Sequence, residues 1–133
     1  EFGTWTPVIS GQTTPGSMSA TVLLAEYLKI NGGVTVWGIL ADIVEGTGAG
    51  NLNIDGMPFT ATSTSGTAIF PGPCITSLVS FTGSLSASVQ DNTARASIKK
   101  STTGANVATI QVSDLSGADT SDIRFQITYP TTS

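Results

Sequence analysis

No histidine occurs among the 133 residues, and cysteine occurs once. The first absence removes the commonest general base and with it any Ser-His-Asp arrangement. The second excludes an intrachain disulfide and leaves the compartment open on redox grounds. A lone thiol without a His partner lacks the usual route to a nucleophile, and zinc sites built from Cys and His are excluded by count. Cys74 stands beside Ile75, Leu78 and Val79 and reads as a buried small hydrophobe.

Charge is also scarce. Charged residues make up 11% of the chain, against roughly 25% in an ordinary globular domain. Five cations face nine acids, a net charge of −4. That balance argues against nucleic acid, whose affinity comes from Lys and Arg neutralising phosphates. The small basic group Arg95, Lys99 and Lys100 reads as a solvated strand end. No apolar run approaches the ~18 residues of a membrane-crossing helix, and no membrane insertion is expected. The opening EFGTWTPVIS lacks the basic start and apolar centre of a signal peptide, and no N-x-S/T sequon occurs. So abrupt a start, on an aromatic-rich strand, suggests one module of a longer polypeptide.

What is present points one way. Serine and threonine supply more than a quarter of the residues, and glycine is abundant. Helical proteins solvate their surfaces with Glu, Lys and Arg, whereas Thr-rich chains of low charge form β-structure. Turn signals recur at intervals of about eight to fifteen residues, as a sandwich or barrel requires. The strands expected are 4–9, 20–30, 34–44, a short one in NLNIDGMPF, a start at 68–70 broken by PGPC, then 74–81, 84–90, 93–99, 106–112 and 122–129. Stretch 20–30 is rich in helix formers. Its Ala20, Val22, Leu24, Leu28 and Ile30 nevertheless share one strand face, and Asn31-Gly32 is a strong hairpin signal. Asp91-Asn92 similarly joins 84–90 to 93–99. The pattern is that of a single all-β domain over 1–133, an antiparallel β-sandwich of jelly-roll type with about eight to ten strands.

The arm after Asn31-Gly32 raises a specific question. Val34, Val36, Gly38 and Leu40 line one of its faces, and Thr35, Trp37 and Ile39 line the other. A half-buried strand shows water a polar side, and this one shows an indole and an isoleucine.

Four stretches together resemble a known family. GTWTPV near the start, YLKINGGVTVWG and NIDGMPFTA, followed by SDLSGADTSDIRFQITY, resemble, in the same order, elements of a domain found at the C-terminal end of bacteriophage tail fibres and tailspikes. The resemblance spans nearly the whole chain. It implies a β-sandwich that assembles as a homotrimer at the distal end of a fibre or spike on the virion, outside the cell, and recognises host cell-surface glycans. On that reading Thr35, Trp37 and Ile39 pack against a neighbouring subunit. One ring removes ~150–250 Å² from water, which at ~25 cal/mol per Å² is several kcal/mol per subunit before association costs.

No catalytic residues, metal site or cofactor is expected. GTGAG lacks the Lys-Ser/Thr of a phosphate loop, and DLSGADTSD lacks the spacing of a calcium loop. Asp42 with Glu45, Asp55, and the set Asp114, Asp119 and Asp122 are the acids that a glycosidase pair can draw on, but each stands among turn formers. For binding, Phe59, Phe81 and Phe125 sit in apolar patterns and are expected in the core, and Trp5 is structural. Phe70, flanked by PGP, is the most loop-like aromatic, and Asp91, Asn92 and Arg95 lie at a hairpin tip. These four are the receptor-binding candidates. The alternatives are a purely structural trimerisation or folding cap, a generic carbohydrate-binding module, and a glycan-active enzyme.

Overall fold

The structure, a computed structural model, describes residues 1–63 and 69–132. Among them the all-β expectation holds: eleven strands and one 3-10 turn, with no α-helix. The strands are β1 (Phe2–Thr4), β2 (Val8–Gly11), β3 (Ser19–Ile30), β4 (Gly33–Val44), β5 (Leu52–Asp55), β6 (Ile69–Gly72), β7 (Cys74–Ser77), β8 (Ser84–Gln90), β9 (Ala96–Ser101), β10 (Ala108–Thr109) and β11 (Ser121–Pro130). They form two sheets. The first has the order β1-β3-β4-β11-β7; the second runs β2-β5-β9-β8-β6, with β10 added beside β9. All pairings are antiparallel, and the sheets share one core, consistent with a β-sandwich.

Alternation builds that core. Val34, Val36 and Leu40 of β4 meet Ile123, Ile127 and Tyr129 of β11, and the second sheet answers with Leu52, Ile54, Val89 and Ile98. Each of these is at most 1% exposed, and burying a Val, Leu or Ile side chain contributes about 1.5–3 kcal/mol. The clean alternation expected in 122–129 is present, with Ile123, Phe125 and Ile127 inside and Arg124, Gln126 and Thr128 outside.

Stretch 20–30 is strand. Ile30 pairs with Gly33 across Asn31-Gly32, with Asn31 at φ 53°, the left-handed region that Asn tolerates in tight turns. Pairing with β4 overrides the local helix propensity. The single apolar face expected for this strand does not survive, because a bulge intervenes. Val22 lies opposite Leu40 and Leu24 opposite Ile39, so Leu23 is one residue too many for the ladder. Val22 therefore shares the face of buried Leu40, and Leu24, Leu28 and Ile30 lie on the other.

Other boundaries move for equally local reasons. The expected strand 4–9 is two strands in different sheets: β1 pairs with β3, and β2 pairs with β5. The chain crosses at Trp5-Thr6-Pro7, where proline has no N–H to give a ladder. PGPC does not end a strand at Phe70. Strand β6 continues through Pro71 and Gly72, and the break comes at Pro73, after which β7 joins the first sheet. Ala68, the expected start of that strand, lies outside the described residues. Strand β7 stops at Ser77, and Phe81 is 42% exposed, not a core residue. Cys74 is half-buried against the core edge. The expected strand 106–112 shortens to β10 and then turns into a 3-10 turn at Val112–Asp114, where the Gln111 N–H donates to Asp114 Oδ2 at 2.8 Å.

Candidate functional site

The outer face of the second sheet is polar. Ala96 and Ile98 are fully buried, so Ser97 and Lys99 between and beside them point outward. Ser88 and Ser86 of β8 stand opposite these two, and Asn53 and Asp55 of β5 stand opposite Ser10 and Val8 of β2. Strand β5 pairs with β9 only through Ile54 and Ala96, and β10 takes over beside Lys99 and Lys100. That hand-over leaves a hollow of about 200 Å³.

Four amides (Gln12, Asn51, Asn53, Gln90), three hydroxyls (Thr93, Ser97, Thr109) and two cations (Arg95, Lys99) line the hollow. No carboxylate or aromatic ring is among them. Arg95 is held at its rim by Asp55, with Nε to Oδ1 at 2.6 Å and an NH2 nitrogen to Oδ2 at 3.2 Å. Lys99 donates from Nζ to Thr109 Oγ1 at 2.7 Å. Burial pushes the Lys99 ammonium below the ordinary lysine range, because leaving water disfavours its charge. Beyond Arg95 and Thr93 lies a second, wider hollow of about 430 Å³ that also takes in Asp55 and Asn92.

The four receptor candidates separate. Asn92 and Arg95 are exposed and line the wider hollow together. Asp91 is 3% exposed, so its carboxylate offers no surface to a ligand. The β8–β9 connection is not a free tip: the Asn92 N–H donates to Ala61 O, the Ala61 N–H to Thr93 O and the Met57 N–H to Ala94 O. Segment 56–61 thus lies over it. Phe70 sits within β6 opposite Val89 and packs against the core, and it lines neither hollow. Lys99, read from sequence as part of a solvated strand end, faces the hollow with Arg95. Lys100 instead pairs with Asp114 at 3.2 Å. The signal available for Lys99 was its alternation with Ala96 and Ile98.

The outer face of the first sheet exposes more apolar surface. Thr35, Trp37 and Ile39 do share this face, beside Leu28, Glu26 and Leu24 of β3 and Thr128, Gln126 and Arg124 of β11. All three are half-buried. Trp37 Nε1 donates to Gln126 Oε1 at 3.1 Å, and the Thr35 and Thr128 hydroxyls are 2.8 Å apart. Around them Phe2 is 64% exposed, Ile30 64%, Leu23 63% and Ile75 68%. A shallow groove of about 260 Å³ runs between Trp37, Ile39, Leu24 and Ile75. The second sheet covers only the inner face, and no described strand covers the outer one, where apolar side chains stand among polar ones.

Three of the acids weighed for catalysis have cationic partners. Asp55 pairs with Arg95, Asp114 with Lys100, and Asp122 with Arg124 at 3.5 Å. Asp42 occupies a bulge at φ 50°, its N–H donating to Asp122 Oδ1 at 3.0 Å. Burial pushes the Cys74 thiol up, which lowers its thiolate fraction. Among the described residues, no three Cys, Asp or Glu side chains gather as a metal site. The chemistry on offer at the polar hollow is hydrogen bonding and ion pairing. No protein-family model, curated protein or solved structure matches this chain.

Proposed function

We propose that the chain is a noncatalytic attachment domain: the distal, homotrimeric tip of a phage tail fibre or tailspike, of jelly-roll type, which binds host cell-surface glycans. The observation that carries this reading is the contrast between the two outer faces. One sheet turns amides, hydroxyls and cations outward around a hollow, and the other turns out Trp37, Ile39, Leu24, Phe2 and Ile75. A polar concavity suits the hydroxyls of a saccharide. An open apolar sheet face suits burial against identical subunits, which removes both greasy surface and sheet edges from water. The four stretches that resemble elements of fibre and spike tips suggest the biological setting.

A second reading is a structural trimerisation or folding cap, and one feature favours it: the hollow has no aromatic ring on which a sugar can stack. Two measurements divide the possibilities. Light scattering at micromolar concentration is expected to give three times the mass of one chain, and a monomer removes both trimeric readings. Binding of labelled domain to a glycan array is expected for the attachment domain and absent for the cap.

A further inference from the structure

We infer that the hollow on the second sheet is the glycan site and that its preferred ligand is an acidic sugar, a uronate residue of a polysaccharide, with its carboxylate on Lys99. The inference rests on the glycan-binding reading above and adds to it the place and the charge of the ligand.

The argument begins with the cations. Arg95, Lys100 and Arg124 each have a carboxylate within ion-pair distance, and Lys29 lies 4.2 Å from the centre of the Phe59 ring. Lys99 alone among the described lysines and arginines has neither; its partner is the Thr109 hydroxyl. An ammonium has three donors, so two remain for ligand or water. In a chain of net charge −4, a partly desolvated ammonium facing a hollow without acids is a locally positive spot. An incoming carboxylate offsets the cost of its burial and makes charge-assisted hydrogen bonds.

The rest of the lining supplies the sugar part. Asn53, Gln90 and Asn51 each offer both donors and acceptors, as paired sugar hydroxyls require. With no aromatic ring present, a neutral sugar loses its usual stacking surface, and discrimination falls to the ion pair. A volume of about 200 Å³ is on the scale of a single sugar unit, and the adjoining hollow past Arg95 leaves space for the chain to continue. Asn53, Ser97 and Lys99 stand on strands, so the constellation is held by ladder hydrogen bonds.

The test is a calorimetric titration of the intact chain with oligogalacturonate and, separately, with neutral galacto-oligosaccharide. The acidic probe is expected to bind about tenfold tighter, and Lys99→Gln to lose about that factor for the acidic probe alone. Lys100→Gln, outside the hollow, is expected to match wild type. Gln90→Glu, at the exposed rim, provides a second variant that leaves Lys99 in place; added negative charge is expected to weaken the acidic probe and spare the neutral one. Equal affinity for the two probes, or full acidic affinity in both Lys99→Gln and Gln90→Glu, overturns the inference while leaving glycan binding intact. Inorganic phosphate or a sulfated oligosaccharide binding tighter than the uronate overturns the choice of carboxylate. No binding of any saccharide here or on the array overturns the glycan reading itself.

Discussion

The indole N–H of Trp5 donates to the backbone carbonyl of Trp37 at 3.2 Å, joining two tryptophans with opposite fates. Trp5 is 8% exposed, its backbone N–H donates to Ala25 O, and its ring lies 6.2 Å from that of Phe125 between centres. Trp37 lies on the other side of the same sheet, half-buried and facing outward. On the proposed trimeric reading, substitution separates folding from assembly. Trp5→Ala is expected to cost about 3–5 kcal/mol in urea unfolding, as large core truncations do. Trp37→Ser is expected to abolish the oligomer in light scattering while the β-type circular dichroism is retained. An unchanged oligomer in Trp37→Ser removes that face from the subunit seam.

Gly38 makes room for Phe125. A methyl group at Gly38 would come within 2.6 Å of the ring's Cζ, and the ring has little freedom, since Phe125 is 6% exposed. Gly38→Ala is expected to destabilise by about 1–3 kcal/mol, the usual cost of overpacking. Shortening the opposing ring in Gly38→Ala with Phe125→Leu is expected to recover part of that loss, so the two changes are non-additive in a double-mutant cycle. Strict additivity would mean that the ring is not what the methyl meets.

These contacts also mark how far the sequence can be read. Alternation and turn chemistry are local, so Ser84–Gln90, most of strand β11 and the turn at Asn31-Gly32 are legible in the order of residues alone. Membership of a sheet is not local. Nothing in EFGTWTPVIS says that Phe2 pairs with Leu28 while Val8 pairs with Asp55, because distant strands decide it. The bulge at Leu23 is equally hidden, and it reassigns the faces of every residue beyond it. The hollow draws on β5, β8, β9, β10 and the connections beside them, so no single stretch advertises it. Asp91 reads as a turn residue and is one, yet segment 56–61 lies over its loop.

The ion pair at the rim gives a charge test of the site. Arg95 and Asp55 are 48% and 32% exposed in their side chains, so breaking the pair is expected to change stability by less than about 1 kcal/mol. The local field changes more than the fold does. Asp55→Asn leaves the Arg95 guanidinium without its counter-charge beside Lys99. The acidic saccharide probe is then expected to bind about two- to fivefold tighter at low salt, with the gain shrinking as ionic strength rises. Weaker binding would place the ligand away from this rim.

Tyr129 ties β11 to segment 56–61, its hydroxyl donating to Phe59 O at 2.8 Å. The side chain is 1% exposed, and burial pushes its pKa up to about 12. In the unfolded chain the phenol titrates near 10. The folded state thus favours the protonated form, and its contribution is fully present below pH 10. Above that the unfolded state loses its proton first, so stability falls as pH rises from about 10 to about 12 and levels off beyond. Urea midpoints between pH 9 and 12 are expected to decline in that window. Tyr129→Phe is expected to be less stable at neutral pH by about 1 kcal/mol, for the lost hydrogen bond. It should also show a shallower alkaline decline. An equally steep decline in Tyr129→Phe would assign the alkaline transition to another group.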